Sequence, residues 1–181
     1  FFNKGLRFMQ LTYNNQTPLA GGCYEKNDSG VSRFGEQVIE EMNRLGMIVD
    51  LSHAGRQTCL DAINFSKKPV TISHANPNFF HQSIRNIDDE VLVKLANKNG
   101  FIGLSLYPYH LQNHGDCKLE DFCAMIKQLV NMIGEDSIGI GSDLCVNWPD
   151  SVVMWMRNGK WTKKIDYGES KDKNVNWPKP V

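Results

Sequence analysis

The sequence has no C-x-x-C pair, no long apolar run, no excess of either charge sign and no glycine-rich phosphate loop. Each absence excludes a class. Five cysteines, odd in number and scattered from Cys23 to Cys145, exclude a zinc ribbon and a thioredoxin-type redox motif. Scattered thiols suit a reducing compartment, so the expected localisation is cytoplasmic, with the periplasm as the alternative. No apolar stretch approaches the roughly 20 residues that cross a bilayer. Twenty basic residues balance twenty acidic ones, with an isoelectric point near 7.1. That balance argues against nucleic-acid and electrostatic membrane-surface partners. With neither G-x-G-x-x-G nor G-x-x-x-x-G-K-[ST] after any strand, a nucleotide-binding sheet has no support. What remains is an ordinary globular mix over 181 residues, 41% hydrophobic and 22% charged, long enough to bury a core without disulfides or a structural metal.

Apolar runs and helical periodicity alternate along the chain. Strands are predicted at 6–12 (LRFMQLT), 47–51 (MIVDL), 70–73 (VTIS), 101–106 (FIGLSL) and 137–141 (SIGIG). Helices are predicted over 34–45, with Ser32 as N-cap and Gly46 as stop, over 56–65, from Asp88 or Asp89 to about Lys98, over 119–132 and over 150–157. Strands apolar on both faces, alternating with helices, imply an α/β fold with a parallel sheet covered on both sides. A doubly wound sheet and a (β/α)8 barrel both satisfy that pattern. Residues 1–158 read as the barrel-type domain. Residues 159–181, poor in aliphatics and rich in Lys and Asn, read as an extended loop or lid.

In parallel α/β folds, chemistry gathers past the carboxyl ends of the strands. VDLSH places His53 there, TISH places His74, GIGSD places Asp143, and LTYNN places Tyr13 and Asn14. By the two-residue strand period, His53 shares a face with Leu51 and Val49, and His74 with Ile72 and Val70. Gly139 and Gly141 precede Asp143 on its face and would leave space at the bottom of a pocket. Either histidine alone reads as a hydrogen-bonded structural residue, and an Asp after a glycine-rich strand reads as a helix cap. Three such groups at equivalent strand ends point instead to a divalent-metal site. Arg85, in the polar loop HQSIRN beyond His74, is either a surface residue or a clamp for a substrate carboxylate. His81, His110 and His114 fall in polar loops and read as ordinary loop residues.

The segments LRFMQLTYNN, SRFGEQVIEEMNRLGMIVDLSHAG, KPVTISHANP, RNIDDEVL and GSD resemble the membrane (renal-type) dipeptidases, the M19 metallopeptidases. GSDLCVNWPDSVVMWMRNGKWTK resembles a bacterial branch. The resemblance implies an amidohydrolase-like (β/α)8 barrel holding two zinc ions and hydrolysing dipeptides. It implies His53 and His74 as ligands of one metal, Asp143 as ligand of the other and proton carrier, and Arg85 as the group that holds the dipeptide's carboxylate. Tyr13 stands where the family often has a substrate-binding histidine; a phenol can still donate to a developing oxyanion. The family's H-x-D pair at the end of its first strand and its metal-bridging glutamate have no match here. The chain therefore reads as the central and C-terminal-side portion of such a barrel, with about five strands, which cannot close an eight-stranded ring. Open edges would invite self-association or a complementing chain. The expected function is a zinc-dependent dipeptidase with an incomplete site and partial or absent zinc. The alternatives are a catalytically inactive half-barrel serving assembly or binding, and a related metal-dependent amide or lactone hydrolase.

Overall fold

The computed structural model describes residues 1–144. The helix expected over 150–157 and the segment 159–181 lie outside the described residues.

Among the described residues, five strands alternate with four α-helices: β1 (Phe8–Gln10), α1 (Arg33–Leu45), β2 (Ile48–Asp50), α2 (Arg56–Phe65), β3 (Thr71–Ala75), α3 (Asp89–Asn97), β4 (Phe101–Leu104), α4 (Leu119–Ile133) and β5 (Ile138–Ile140). All neighbouring strands pair in parallel, in the unbroken order β1-β2-β3-β4-β5. A doubly wound sheet reverses its strand order at a switch point. This sheet never reverses, so it winds as a barrel does.

Local chemistry sets the boundaries. Ser32 Oγ accepts from Gly35 N at 3.0 Å to cap α1, and Gly46 ends it in the left-handed conformation at φ 77°, which costs a residue without Cβ little. Asp88 caps α3 by accepting from Val91 N at 3.1 Å. Ile39 and Met42 of α1, Val91, Leu92 and Leu95 of α3, and Phe122, Met125 and Leu129 of α4 form the buried stripes of their helices, spaced three to four residues apart. Val49, Leu51, Ile72, Ile102 and Leu104 are each no more than 1% exposed. Burying one such side chain contributes roughly 1.5–3 kcal/mol. The edges differ: Phe8 on β1 and Ile140 on β5 are 51% and 64% exposed.

The strands are shorter than the sequence pattern predicts. β1 stops at Gln10 and β4 at Leu104, so Tyr13 and Asn14 lie in the loop past β1. The alternation expected to carry from Ile72 to His74 is also interrupted. Between Ile72 and Ala75 the β3–β4 register slips, three residues on β3 spanning two on β4. Ser73 and His74 occupy this bulge, a device that re-aims side chains.

Candidate active site

His53 lies three residues past β2, and His74 lies inside β3. The two rings meet, with His53 Nε2 and His74 Nε2 2.9 Å apart. Tyr13, otherwise exposed, stacks on the His53 ring with centroids 3.9 Å apart and planes 22° from parallel. Arg85 comes from the loop between β3 and α3 and is buried. Its Nη1 donates to the Ser52 carbonyl, and its Nη2 lies 3.3 Å from His53 Nε2.

The other ring nitrogens are held as well. His53 Nδ1 is 2.7 Å from Asn14 Oδ1, and that oxygen also receives Cys23 Sγ at 3.5 Å. An amide oxygen only accepts, so Nδ1 of His53 carries the proton and Nε2 the lone pair. Asn14 holds a left-handed φ of 62°, a conformation Asn tolerates better than most residues. His74 Nδ1 is 2.8 Å from Ser73 Oγ.

Burial is the main reason both imidazoles stay neutral well below their ordinary range. For His53 the next cause is the Arg85 guanidinium. For His74 the carboxylates of Asp143 and Asp50 oppose the shift, the former more strongly. Asp143, exposed in the segment past β5 at φ 56°, thus lies within electrostatic range of His74.

Two sequence expectations need correction. Gly139 and Gly141 leave no open pocket floor. A Cβ at Gly141 would sit 1.8 Å from the Ser73 carbonyl oxygen, and one at Gly139 would sit 2.4 Å from the Phe101 ring. The space is filled by the bulge carbonyl and by an aromatic ring. His110, expected as an ordinary residue of a polar loop, is buried instead: it is 1% exposed, with Nδ1 2.9 Å from Ser105 Oγ. His81 and His114 do lie together in loops, their rings edge to face at 5.2 Å.

The sequence reading passed over Asp50. It is buried and receives Ser52 N, Ser52 Oγ and Ser73 N on one oxygen, and Gln10 Nε2 and Ser73 Oγ on the other. A visible signal existed: a charged residue inside the apolar run MIVDL must find polar partners or carry a large desolvation cost.

Parallel strands wound in one direction, with facing imidazoles and a buried arginine at their carboxyl ends, define a segment of an amidohydrolase-like (β/α)8 barrel. The family model for membrane dipeptidase (peptidase family M19) matches residues 1–151. The chain is 34% identical to Dipeptidase aclJ of Aspergillus oryzae over 143 residues, covering 77% of this chain and 34% of that protein. It is 33% identical to mouse Dipeptidase 3 over 147 residues, covering 78% and 30%. Among solved structures, an amidohydrolase from Pseudomonas aeruginosa superposes with a TM-score of 0.85 at 33% identity, covering 99% of this chain and 53% of that one. A metallo peptidase from Rhodobacter sphaeroides, liganded with a phosphinate mimic of L-Ala-D-Ala, superposes with a TM-score of 0.74 at 25% identity, covering 80% and 44%. The chain belongs to the M19 membrane dipeptidase family of metallopeptidases, and it spans about a third of the length of these curated relatives.

The donor set fits one edge of a zinc site. His53 Nε2 presents a lone pair to His74 Nε2 at 2.9 Å, a contact that a proton on His74 Nε2 or a metal ion taking both lone pairs would satisfy. Two histidine nitrogens on one tetrahedral zinc stand about 3.3 Å apart, so a small opening would admit the ion. Among the described residues, no group of three or more His, Cys, Asp or Glu is placed to hold a metal. His53 and His74 would supply two ligands where a tight site wants three or four.

Proposed function

We propose that this chain carries part of the active site of a zinc-dependent dipeptidase, with His53 and His74 as ligands of one zinc. The observation that carries this reading is the facing pair of Nε2 atoms, with His53 Nδ1 bound to an acceptor-only amide oxygen. Bound zinc would lower the pKa of the attacking water and polarise the scissile carbonyl.

The chain's own residues would do the rest. Asp143 takes the proton of the attacking water and returns it to the leaving amine. Arg85 pairs with the dipeptide's terminal carboxylate and so fixes its orientation, a large contribution to rate. The Tyr13 phenol, exposed beside His53, donates to the carbonyl oxygen as charge develops there.

The second reading, a half-barrel without catalysis, draws on the two-ligand count among the described residues. Zinc titration of the chain against a chromophoric chelator, with dipeptide and lactone panels run in parallel, separates the readings. The dipeptidase reading requires zinc binding, weak in this two-ligand segment, that His53→Gln and His74→Gln abolish. In a complete enzyme carrying this segment, it also requires dipeptide turnover exceeding lactone turnover. Zinc uptake unchanged in both variants refutes it.

A further inference from the structure

We infer that Asp50 is a positioning residue for His74, acting through the Ser73 hydroxyl to present the His74 Nε2 lone pair to the metal. This inference rests on the metallopeptidase reading above and goes beyond the ligands to the groups that orient them.

The path runs through one proton. Ser73 Oγ has three polar neighbours: Asp50 Oδ2 at 2.6 Å, His74 Nδ1 at 2.8 Å and Ser52 Oγ at 2.9 Å. Its single proton can serve one of them. A carboxylate oxygen only accepts, and bonds to it are about twice as strong as neutral ones. The shortest contact therefore takes the proton, and Ser73 donates to Asp50. Ser52 Oγ, 2.7 Å from Asp50 Oδ1, donates to the same carboxylate. Ser73 Oγ is left as an acceptor, and His74 Nδ1–H donates to it. With Nδ1 protonated, a neutral His74 carries its lone pair on Nε2, the atom that faces His53. The rival tautomer, with Nε2–H donating to His53 Nε2, would leave the shorter 2.8 Å contact to Ser73 Oγ without a proton, while His53 Nε2 already has Arg85 Nη2 as a donor at 3.3 Å.

Asp50 also has a separable structural task. β2 and β3 share a single paired position, Asp50 with Thr71. The carboxylate extends that short ladder by accepting Ser73 N at 3.0 Å. Substituting Asp50 therefore disturbs strand pairing as well as the histidine. Ser73→Ala removes the hydroxyl and keeps the backbone bond to Asp50, so it breaks the link to His74 while strand pairing is retained. Ser73→Thr keeps the hydroxyl on a strand-forming residue.

The experiment uses the 181-residue chain. Ring nitrogen shifts of His74, read by long-range proton–nitrogen NMR on metal-free protein at neutral pH, give the tautomer. Competition with a chromophoric chelator gives zinc affinity. The native chain is expected to show His74 protonated on Nδ1. Ser73→Ala is expected to move that proton to Nε2 and weaken zinc about 10–100-fold, with a lowered urea midpoint from the lost hydrogen bond to the buried Asp50 carboxylate. Ser73→Thr is expected to restore both. Nε2–H in the native chain, or Nδ1–H retained in Ser73→Ala, overturns the inference, as does undiminished zinc affinity in Ser73→Ala. Failure of the native chain to take up zinc counts against the metallopeptidase reading alone, because the tautomer is read without metal.

Discussion

Adding one methyl group at Gly141 tests how the sheet makes room for the site. A Cβ there would lie 1.8 Å from the Ser73 carbonyl oxygen and 3.2 Å from the Gly103 Cα. Ordinary contact needs more than 3 Å, so something must move by over 1 Å. Both obstacles are backbone, and neither can escape by changing rotamer. Overpacking of this kind costs about 1–3 kcal/mol. Gly141 does not have a left-handed φ, so Ala gains about 0.4–1 kcal/mol from the stiffer unfolded chain. With two fixed backbone obstacles the cost lies at the upper end of that range, so the net loss for Gly141→Ala is about 2 kcal/mol. Gly139, on the same strand, is the internal control. Its added methyl would meet only the Phe101 ring, which is 39% exposed and can swing outward. Gly139→Ala should therefore change stability by less than about 1 kcal/mol, since the entropic gain offsets a soft clash. Urea unfolding of both variants, with unchanged slopes, gives the comparison. Because Ser73 precedes His74, Gly141→Ala should also weaken zinc binding and Gly139→Ala should not. Equal losses at the two positions, or a neutral Gly141→Ala, would refute the claim that the bulge carbonyl occupies this space.

Three further outcomes are expected. His53 stays neutral when folded because it is buried and faces Arg85, whereas the unfolded chain protonates it near pH 6.5. Its contribution to stability is full above about pH 7 and falls by about 1.4 kcal/mol between pH 7.5 and 5.5; urea midpoints across that window should decline, and His53→Gln should flatten the decline. Asn14→Ala removes the acceptor that fixes His53 Nδ1 and should weaken zinc by about 10–100-fold, while Asn14→Asp, a stronger acceptor, should hold affinity; chelator competition reads both. In a complete enzyme carrying this segment, Arg85→Lys keeps the charge but loses the planar fork and should raise KM about tenfold or more for free-acid dipeptides; similar losses on C-terminally amidated dipeptides would show that Arg85 supports the fold instead.

The sequence by itself determined the alternation of strands and helices, because apolar runs and helical stripes answer to local periods of two and 3.6 residues. It also marked the helix cap at Ser32 and narrowed the next to Asp88 or Asp89, of which Asp88 meets the first free N–H groups in the fold. His53, just past β2, and His74, near the end of β3, were visible because each follows a short apolar run that marks a strand locally. Tertiary structure decided what pairing and burial control. The two architectures left open by the alternating pattern were separated only by the unbroken strand order, a non-local property. The bulge at Ser73 and His74 arises from register against β4, which no window of β3 contains. His110 sits in a polar stretch yet is buried, because Asn76 donates to its carbonyl and Ser105 meets its ring. Asp50 gains its task only once β2 lies beside β3, since two of its five donors belong to Ser73 on the neighbouring strand. A buried carboxylate is costly until such donors surround it, and only the folded sheet brings them together.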